Sequence, residues 1–325
     1  MKIRYYIVEL AVLLNSNILS QDNHLEEQFK NYTDSLFNIG ELNFLENNLE
    51  QAEKMFIGYL IFVPDDLQSL EYLVQIAITQ QDLPALKLYN EKILNLDPDN
   101  VDALIILGVI YFNERIYSKA EILFINAINL APNNELALYN LGVLYGTKGE
   151  FRNAEIALNK AALINPLNSE VYQTLGLFNL QSQHYYEAEK YLLKAISIDN
   201  DLCDAKKGLI ILYQNQARLE ESIKYINDIL RSSPDCPQLN LLIANQKFLE
   251  GETDSAITYT LKEIQEEPNQ ADAYYFLSTL YRLNGEDIKS QNAFAKAEIL
   301  LNNKSVDSSD EMILKRKSLI NSISK

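Results

Sequence analysis

Apolar residues in the middle of the chain recur at helical spacing and are interrupted at regular places. Leu138, Leu141 and Tyr145 recur at steps of three and four, which is the spacing of one face of an α-helix. Gly149 interrupts this stripe, and a second stripe of the same spacing follows it. The second stripe stops at Pro166, because proline lacks the N–H that would continue a helix. The pattern therefore predicts a helix A, a tight turn and a helix B, which together form a helical hairpin.

The hairpin pattern repeats every 34 residues. Six prolines fall on a 34-residue lattice, and Asn200 stands at the one vacant lattice place: Pro64, Pro98, Pro132, Pro166, Pro234 and Pro268. The lattice divides the chain into eight repeats: 33–66, 67–100, 101–134, 135–168, 169–202, 203–236, 237–270 and 271–304. The predicted fold is thus all-α, an array of eight tandem hairpins.

Two places in each repeat carry mostly small side chains, which lets helices A and B approach to about 8–10 Å. The eighth place holds Gly40, Val74, Gly108, Gly142, Gly176, Ile210, Ala244 and Ser278. The twentieth place holds Ala52, Leu86, Ala120, Ala154, Ala188, Ser222, Ala256 and Ser290. We therefore expect the closest contact within each hairpin at these two places.

The pattern resembles the tetratricopeptide-repeat family. The residues that carry the resemblance are Leu138, Leu141, Gly142, Tyr145, Gly149, Ala154, Leu158, Ala161 and Pro166, followed by Tyr172, Leu175, Gly176, Ala188, Leu192 and Ala195. The resemblance covers residues 33–304. It implies a right-handed superhelical α-solenoid in which the A helices line a concave groove that binds other proteins.

Three repeats depart from the family pattern. Val74 faces Leu86 where two small residues are usual, Ile210 stands at a glycine place, and Glu263 stands where alanine is usual. We expect these three hairpins to pack less tightly than those of residues 101–202.

The resemblance implies that places 2, 5, 9, 12 and 13 of each repeat face the groove. From these places we select ten candidate protein-binding residues: Asp102, Ile105, Val109, Phe112, Leu136, Tyr139, Val143, Glu170, Leu177 and Leu180. Eight of the ten are apolar or aromatic and would form an exposed patch that favours binding. The alternative is that the array covers these side chains itself.

The sequence therefore predicts a non-enzymatic scaffold or adaptor that binds an extended or helical segment of a partner protein. Phe112 and Tyr139 are the expected anchors, and Asp102 and Glu170 would attract a basic flank of the partner. The clamp by which some family members bind chaperone carboxylates is absent, since Ile105 and Val109 stand at two of its places. The alternative function is a structural subunit of an envelope-associated or other complex that self-associates through its convex face or its ends.

Composition argues against other classes of function. A formal net charge of −17 is unfavourable for a nucleic-acid-binding protein. Glycine-rich phosphate loops are absent from the sequence, and its two histidines, His24 and His184, lie far apart. We therefore expect no catalytic, cofactor-binding or metal-binding residues. Cys203 and Cys236 are expected to be free thiols, because successive repeats would hold their Cα atoms beyond the ~7 Å that a disulfide tolerates.

The two ends of the chain permit separate predictions. Residues 1–20 have the outline of a signal peptide, with Lys2 and Arg4 before an apolar run and Ser20 before the expected cleavage. Glu9 within that run supports the alternative, a capping helix. Export is favoured over a cytoplasmic location, and membrane spanning is not expected, because the run is shorter than the ~20 residues a span requires. Residues 21–32 form a lead-in, and residues 305–325 are predicted to form a C-terminal capping helix.

Overall fold

The computed structural model describes residues 23–233 and 236–305, and all regular structure in these ranges is helical. The helices of the first half are α1 (Asn23–Leu45), α2 (Leu49–Leu60), α3 (Leu67–Gln80), α4 (Leu83–Leu96), α5 (Val101–Asn113), α6 (Tyr117–Leu130), α7 (Glu135–Thr147) and α8 (Phe151–Ile164). Those of the second half are α9 (Ser169–Gln181), α10 (Tyr185–Ile198), α11 (Cys203–Asn215), α12 (Leu219–Ser232), α13 (Leu239–Leu249), α14 (Thr253–Glu266), α15 (Ala271–Leu283) and α16 (Asp287–Ser305). The predicted signal peptide or capping helix of residues 1–20 and the capping helix predicted beyond residue 305 lie outside the described residues.

The chain forms two compact units, the N-terminal half through Ile164 and the C-terminal half from Asn165. In each half, odd-numbered helices pair with the even-numbered helices that follow them, so each pair forms one hairpin. The odd-numbered helices are the A helices and the even-numbered ones the B helices. This arrangement confirms the all-α architecture predicted from the helical stripes.

Each hairpin turns at the same place of the repeat. The fifteenth place has a positive φ in every repeat, at Asn47, Gln81, Arg115, Gly149, Gln183, Ala217, Gly251 and Gly285. Only three of these residues are glycine, the residue that takes this conformation at the least cost. The turn geometry is therefore kept by the surrounding helices even where the sequence does not favour it.

Short polar side chains begin several A helices. The Asn100 side chain accepts a hydrogen bond from the Ala103 N–H at 3.0 Å, and Asn134 accepts one from the Ala137 N–H at 2.9 Å. Asn168 accepts bonds from the first turn of α9 in the same way. These caps satisfy N–H groups that have no partner within the helix, so they fix where each A helix begins.

The eighth place of several A helices is packed tightly against the B helix of the same hairpin. A Cβ added at Gly108 would lie 2.5 Å from Phe124 Cε1, and one added at Gly142 would lie 2.6 Å from Leu158 Cγ. Phe124 and Leu158 both stand at place 24, so this place, as well as place 20, meets the glycine. In the last hairpin the contact is polar, with Ser278 Oγ 3.1 Å from Ser290 Oγ.

The repeats that depart from the pattern bury their unusual residues. Val74 and Ile210 are both in the core. The repeat of Val74 carries Asn90 at place 24, and the Asn90 amide donates a hydrogen bond to the Leu86 carbonyl at 2.7 Å. Glu263 is 1% exposed, and its burial raises the pKa of its carboxyl group. The looser packing that we expect of these hairpins stays a prediction.

Cys203 and Cys236 form a disulfide, so the prediction of free thiols was wrong. Their Cα atoms lie 6.3 Å apart, within disulfide range. The 34-residue repeat predicts that α13 begins near residue 237, but Gln238 has a φ of 64° and the helix starts at Leu239. The helix α13 therefore starts two residues later than the repeat predicts, and Cys236, just before it, lies close to Cys203, the first residue of α11.

Candidate protein-binding surface

The candidate residues of the N-terminal half lie on two consecutive A helices, α5 and α7, which contact each other. The glycine contacts with Phe124 and Leu158 fix the rotation of these helices about their axes. The candidate residues are not all turned away from their own B helix, since the Phe112 ring lies 5.8 Å from the Tyr117 ring on α6.

Leu136 is the most exposed apolar candidate, with 57% of its surface open to solvent. Tyr139 and Val143, one and two turns further along α7, are half-buried. Asp102 is exposed at the start of α5, and none of the ion pairs among the described residues includes it. An apolar strip with a carboxylate beside it is thus accessible on this face.

Ile105 does not contribute to an accessible surface, because it is only 3% exposed. It belongs to the core that also contains Ala120 and Phe124. The prediction treated place 5 as outward-facing, but α5 is apolar around most of its circumference and buries this place as well. Val109 and Phe112 are half-buried and pack against the same core.

The candidates of the C-terminal half are described separately. Glu170 is exposed in the first turn of α9, next to the cap residue Asn168. Leu177 and Leu180 are half-buried and pack against the core that contains Leu192. These two leucines therefore contribute to the stability of their half, and only Glu170 is fully accessible.

Two lysines close to α5 and α7 are paired with carboxylates. Lys148 Nζ lies 2.9 Å from Glu121 and 2.7 Å from Glu150. The hydrogen bonds to these carboxylates raise the pKa of Lys148, and the one from Lys148 lowers the pKa of Glu150. Lys87 lies 2.8 Å from Glu114 and 4.7 Å from the centre of the Tyr111 ring. These two lysines are therefore occupied within their own half, and neither of them pairs with Asp102 at the start of α5.

Within residues 23–233 and 236–305, no group of three or more histidine, cysteine, aspartate or glutamate residues is placed to hold a metal ion. In the same ranges, no helix combines the length and the hydrophobicity needed to cross a membrane.

The B helices carry a feature that the sequence analysis did not consider. At place 22 of three consecutive repeats in the N-terminal half stand exposed aliphatic residues: Leu88, Ile122 and Ile156, which are 50%, 60% and 52% exposed. These three residues are 34 positions apart, so the spacing of the repeat is the sequence signal that identifies the row. In the C-terminal half the same place holds Lys190 and Lys224.

Solved structures with the same architecture are tetratricopeptide-repeat proteins or components of assemblies. A tetratricopeptide-repeat protein from Parabacteroides merdae is 21% identical, with a TM-score of 0.63, over 78% of this chain and 98% of that one. PilW, a type IV pilus biogenesis factor, is 20% identical, with a TM-score of 0.54, over 66% and 97%. The Cut9–Hcn1 hetero-tetramer of the APC/C matches at 15% identity and a TM-score of 0.62, over 88% and 56%.

Comparison with family models agrees with these structures. The model described as tetratricopeptide repeat matches residues 136–166 and 169–202. These are the two repeats from which the resemblance was first drawn. No curated protein matches the chain. The family match shows that residues 136–166 and 169–202 are tetratricopeptide repeats, and the helical hairpins and the structural similarity show that the described residues share the fold of tetratricopeptide-repeat proteins.

Proposed function

We propose that this protein is a non-enzymatic scaffold that binds an extended or helical segment of a partner protein on the accessible face of α5 and α7. The observation that carries the proposal is the exposure of Leu136 beside the half-buried Tyr139 and Val143. Nothing in the hairpin itself requires an apolar residue at the place of Leu136. A partner would remove this apolar surface from water, which is the main source of binding free energy in most protein complexes.

Charge at the edge of this face favours one kind of partner. Asp102 is exposed and has no ion pair among the described residues, so a basic residue flanking the bound segment would be attracted to it. Such rim charges mainly accelerate association and make it dependent on salt. Glu170 occupies the same place of α9 and supports the same preference in the C-terminal half.

A second function, self-association through the B helices, is supported by the row Leu88, Ile122 and Ile156. The architecture is shared with PilW, a pilus biogenesis factor, and with the Cut9–Hcn1 hetero-tetramer. Both scaffold functions are therefore compatible with the fold, and the two faces differ in the kind of partner that they would bind.

Site-specific photo-crosslinking separates the two functions. A benzophenone amino acid is placed at Tyr139 on α7 or, in a second variant, at Ile122 on α6, and the cells are irradiated. If position 139 crosslinks to a different protein and position 122 does not crosslink, the result supports the partner-binding face. If position 122 crosslinks two copies of this chain and position 139 does not crosslink, the result supports self-association and contradicts the first proposal.

Matched charge variants then test the face that captures a partner. Leu136→Glu and Ile122→Glu place the same charge at positions of nearly equal exposure, 57% and 60%. We expect Leu136→Glu to weaken binding of the captured partner at least tenfold and Ile122→Glu to leave it within twofold. The reverse result would move the binding surface to the B helices.

We also propose that the protein works in an oxidising compartment, as the signal-peptide interpretation requires. The Cys203–Cys236 disulfide supports this location, because disulfides persist outside the cytosol and are rare within it. Intact-mass analysis of alkylated protein from the native host tests it. Recovery of a chain that starts at Met1 with two alkylated cysteines would contradict the proposal.

A further inference from the structure

A cleft of about 510 Å³ opens on the B-helix side of the C-terminal half. It lies between the end of α10 and the length of α12. The polar residues that line it are Asn200, Lys224, Asn227, Asp228 and Arg231, and the Tyr225 side chain forms part of its wall. Its volume is in the range of clefts that hold small ligands or a few residues of a peptide.

The one carboxylate of the cleft is already neutralised by a buried lysine. Lys206 on α11 is 1% exposed, and its Nζ lies 2.5 Å from Asp228 Oδ2 and 3.4 Å from Ser232 Oγ. An ammonium group this far from water needs a negative partner. The charge of Asp228 is therefore taken up by Lys206, and Asp228 adds no net negative charge to the cleft.

Lys224 and Arg231 then leave the cleft with two uncompensated positive charges. Within the described ranges neither side chain takes part in an ion pair, and the Lys224 ammonium lies 5.6 Å from the centre of the Tyr225 ring. Arg218, directly before α12, provides a contrast, since its guanidinium contacts Glu189 at 3.1 Å and Glu221 at 2.9 Å. In a chain with a net charge of −17, two unpaired cations lining one cleft are a specific feature.

Helix electrostatics accounts for only one of these cations. Arg231 lies in the last turn of α12, where the carbonyl end of the helix favours a positive charge. Lys224 lies in the middle of the helix, where this effect has faded. The position of Lys224 in the cleft therefore requires another explanation, and an anionic ligand provides one.

The spacing of the two cations indicates the kind of ligand. Seven residues along an α-helix correspond to two turns, which is about 10 Å and returns to the same face. In a polyproline II segment, residues three apart share one side and lie about 9 Å apart. Two carboxylates at this spacing would reach both cations, whereas one compact anion would reach only one of them without bending the side chains together.

We propose that this cleft binds an acidic, extended peptide segment, with one carboxylate on Lys224 and a second, three residues away, on Arg231. The Asn200 and Asn227 amides are available to the peptide backbone, and Tyr225 and Ile196 provide apolar contacts for the residues between the carboxylates. The ligand differs in charge from the basic-flanked segment proposed for α5 and α7, so this site is independent of that function.

Fluorescence anisotropy with the full-length chain tests the proposal. The probe is a labelled Gly-Asp-Pro-Pro-Asp-Gly peptide, whose prolines favour the extended form. One control peptide has asparagine in place of both aspartates, and another, Gly-Pro-Asp-Asp-Pro-Gly, has adjacent aspartates. We expect the probe to bind at least tenfold more tightly than either control.

Paired variants locate the binding on the cleft. Lys224→Gln with Arg231→Gln should weaken probe binding at least tenfold. Lys190→Gln with Lys194→Gln removes the same charge from exposed residues of α10 that do not line the cleft, and should change binding less than threefold. Thermal melts monitored by circular dichroism confirm that both variants fold.

Three results would overturn the proposal. Equal losses in the two double variants would show attraction to positive charge in general. If the peptide with adjacent aspartates bound as tightly as the probe, the proposal of two carboxylates three residues apart would be wrong. Orthophosphate that binds as tightly as the probe would identify a site for a single compact anion.

Discussion

The hairpins of residues 101–168 and those of residues 203–270 have the same helical frame but are held together by different interactions. In the first region, Gly108 and Gly142 let an aromatic or leucine side chain of the B helix lie directly against the backbone of the A helix. The small residues Ala120 and Ala154 are completely buried beside these contacts. In this region, close apolar packing forms the contact at the eighth place of the repeat.

The second region buries polar and charged groups between its helices. Gln214 donates hydrogen bonds from α11 to the Leu242 carbonyl at 3.0 Å and to Gln246 Oε1 at 3.2 Å on α13. Lys206 pairs with Asp228 in the same region, and a disulfide joins the start of α11 to the segment before α13. In the second region, hydrogen bonds, an ion pair and a disulfide provide part of the stabilisation that the glycine contacts provide in the first region.

The difference shows which features the repeat needs. Spacing, turn and helix termination are common to both regions, while the contact at the eighth place is not. A repeat can therefore lose its glycine when other bonds hold the helices in register. Such bonds are more sensitive to redox state and pH than apolar packing is, so the two regions should respond differently to these conditions.

Removal of the disulfide should give the largest effect. A crosslink that closes a loop of this length is expected to stabilise the folded chain by about 3–4 kcal/mol in the chain-entropy model. Cys203→Ser with Cys236→Ser should therefore lower the urea midpoint, with hydrogen exchange rising mainly in residues 203–270. The wild type under reducing conditions should match the variant. Equal midpoints for oxidised and reduced wild type would contradict a stabilising role of the disulfide.

Overpacking at Gly142 should give the next largest effect. Leucine at this place would push α7 away from Leu158, since even a Cβ would lie 2.6 Å from Leu158 Cγ. We expect Gly142→Leu to cost about 3 kcal/mol, the upper end of the range for overpacked cores. Gly58→Leu on α2 is the control, because a Cβ there meets nothing within 4 Å. That change should be neutral or stabilising by up to about 1 kcal/mol. Similar urea midpoints for both variants would show that the contact is not tight.

Loss of the carboxylate opposite Lys206 should cost about 2 kcal/mol, less than for a fully buried pair because Asp228 is partly exposed. Asp228→Asn leaves a buried ammonium without its counter-charge. Lys206→Met combined with Asp228→Asn removes both charges and should recover most of the loss in a thermal melt. A double variant as unstable as Asp228→Asn would show that packing, and not charge, sets the cost.

Much of the fold was predictable because periodicity is a property of the sequence itself. The proline lattice and the 3.6-residue stripes place each hairpin, and the asparagines at 100, 134 and 168 mark the starts of their A helices. The small residues at places 8 and 20 were expected to form the closest contact, whereas in the structure the large residue at place 24 lies directly against place 8. The match of Gly108 with Phe124 was visible in the sequence but lacked a geometric reason until the structure supplied one.

The candidate surface was less predictable. Ile105 was assigned to the groove from its place in the repeat, but burial depends on how the neighbouring hairpin covers that place. The disulfide was not predicted, because α13 starts at Leu239 and a regular 34-residue repeat does not predict this shift. The cleft around Lys224 depends on which carboxylate pairs with which cation, and sequence spacing does not determine this pairing.

The smallest effect on stability should come from replacing Glu263. The way in which this effect changes with pH distinguishes the second region from the first. Glu263 stands where the hairpins of residues 101–202 have alanine, and its burial, with Glu266 and Glu267 nearby, raises the pKa of its carboxyl group. The folded chain therefore holds the Glu263 proton more tightly than the unfolded chain does. The contribution of Glu263 to the stability of the folded chain is therefore greatest below the pKa of an unfolded glutamate. It is lost as the pH rises towards the pKa of Glu263 in the folded chain. Glu263→Gln keeps the shape of the side chain and removes the ionisation. At pH 7 the variant should be more stable than the wild type by about 1 kcal/mol or less, and near pH 4 the difference should shrink. Thermal melts of both chains at pH 4 and pH 7 measure this change. A variant that is less stable than the wild type at pH 7 would show that the ionised carboxylate is satisfied within the hairpin, and that this part of the second region is not weakened by its buried charge.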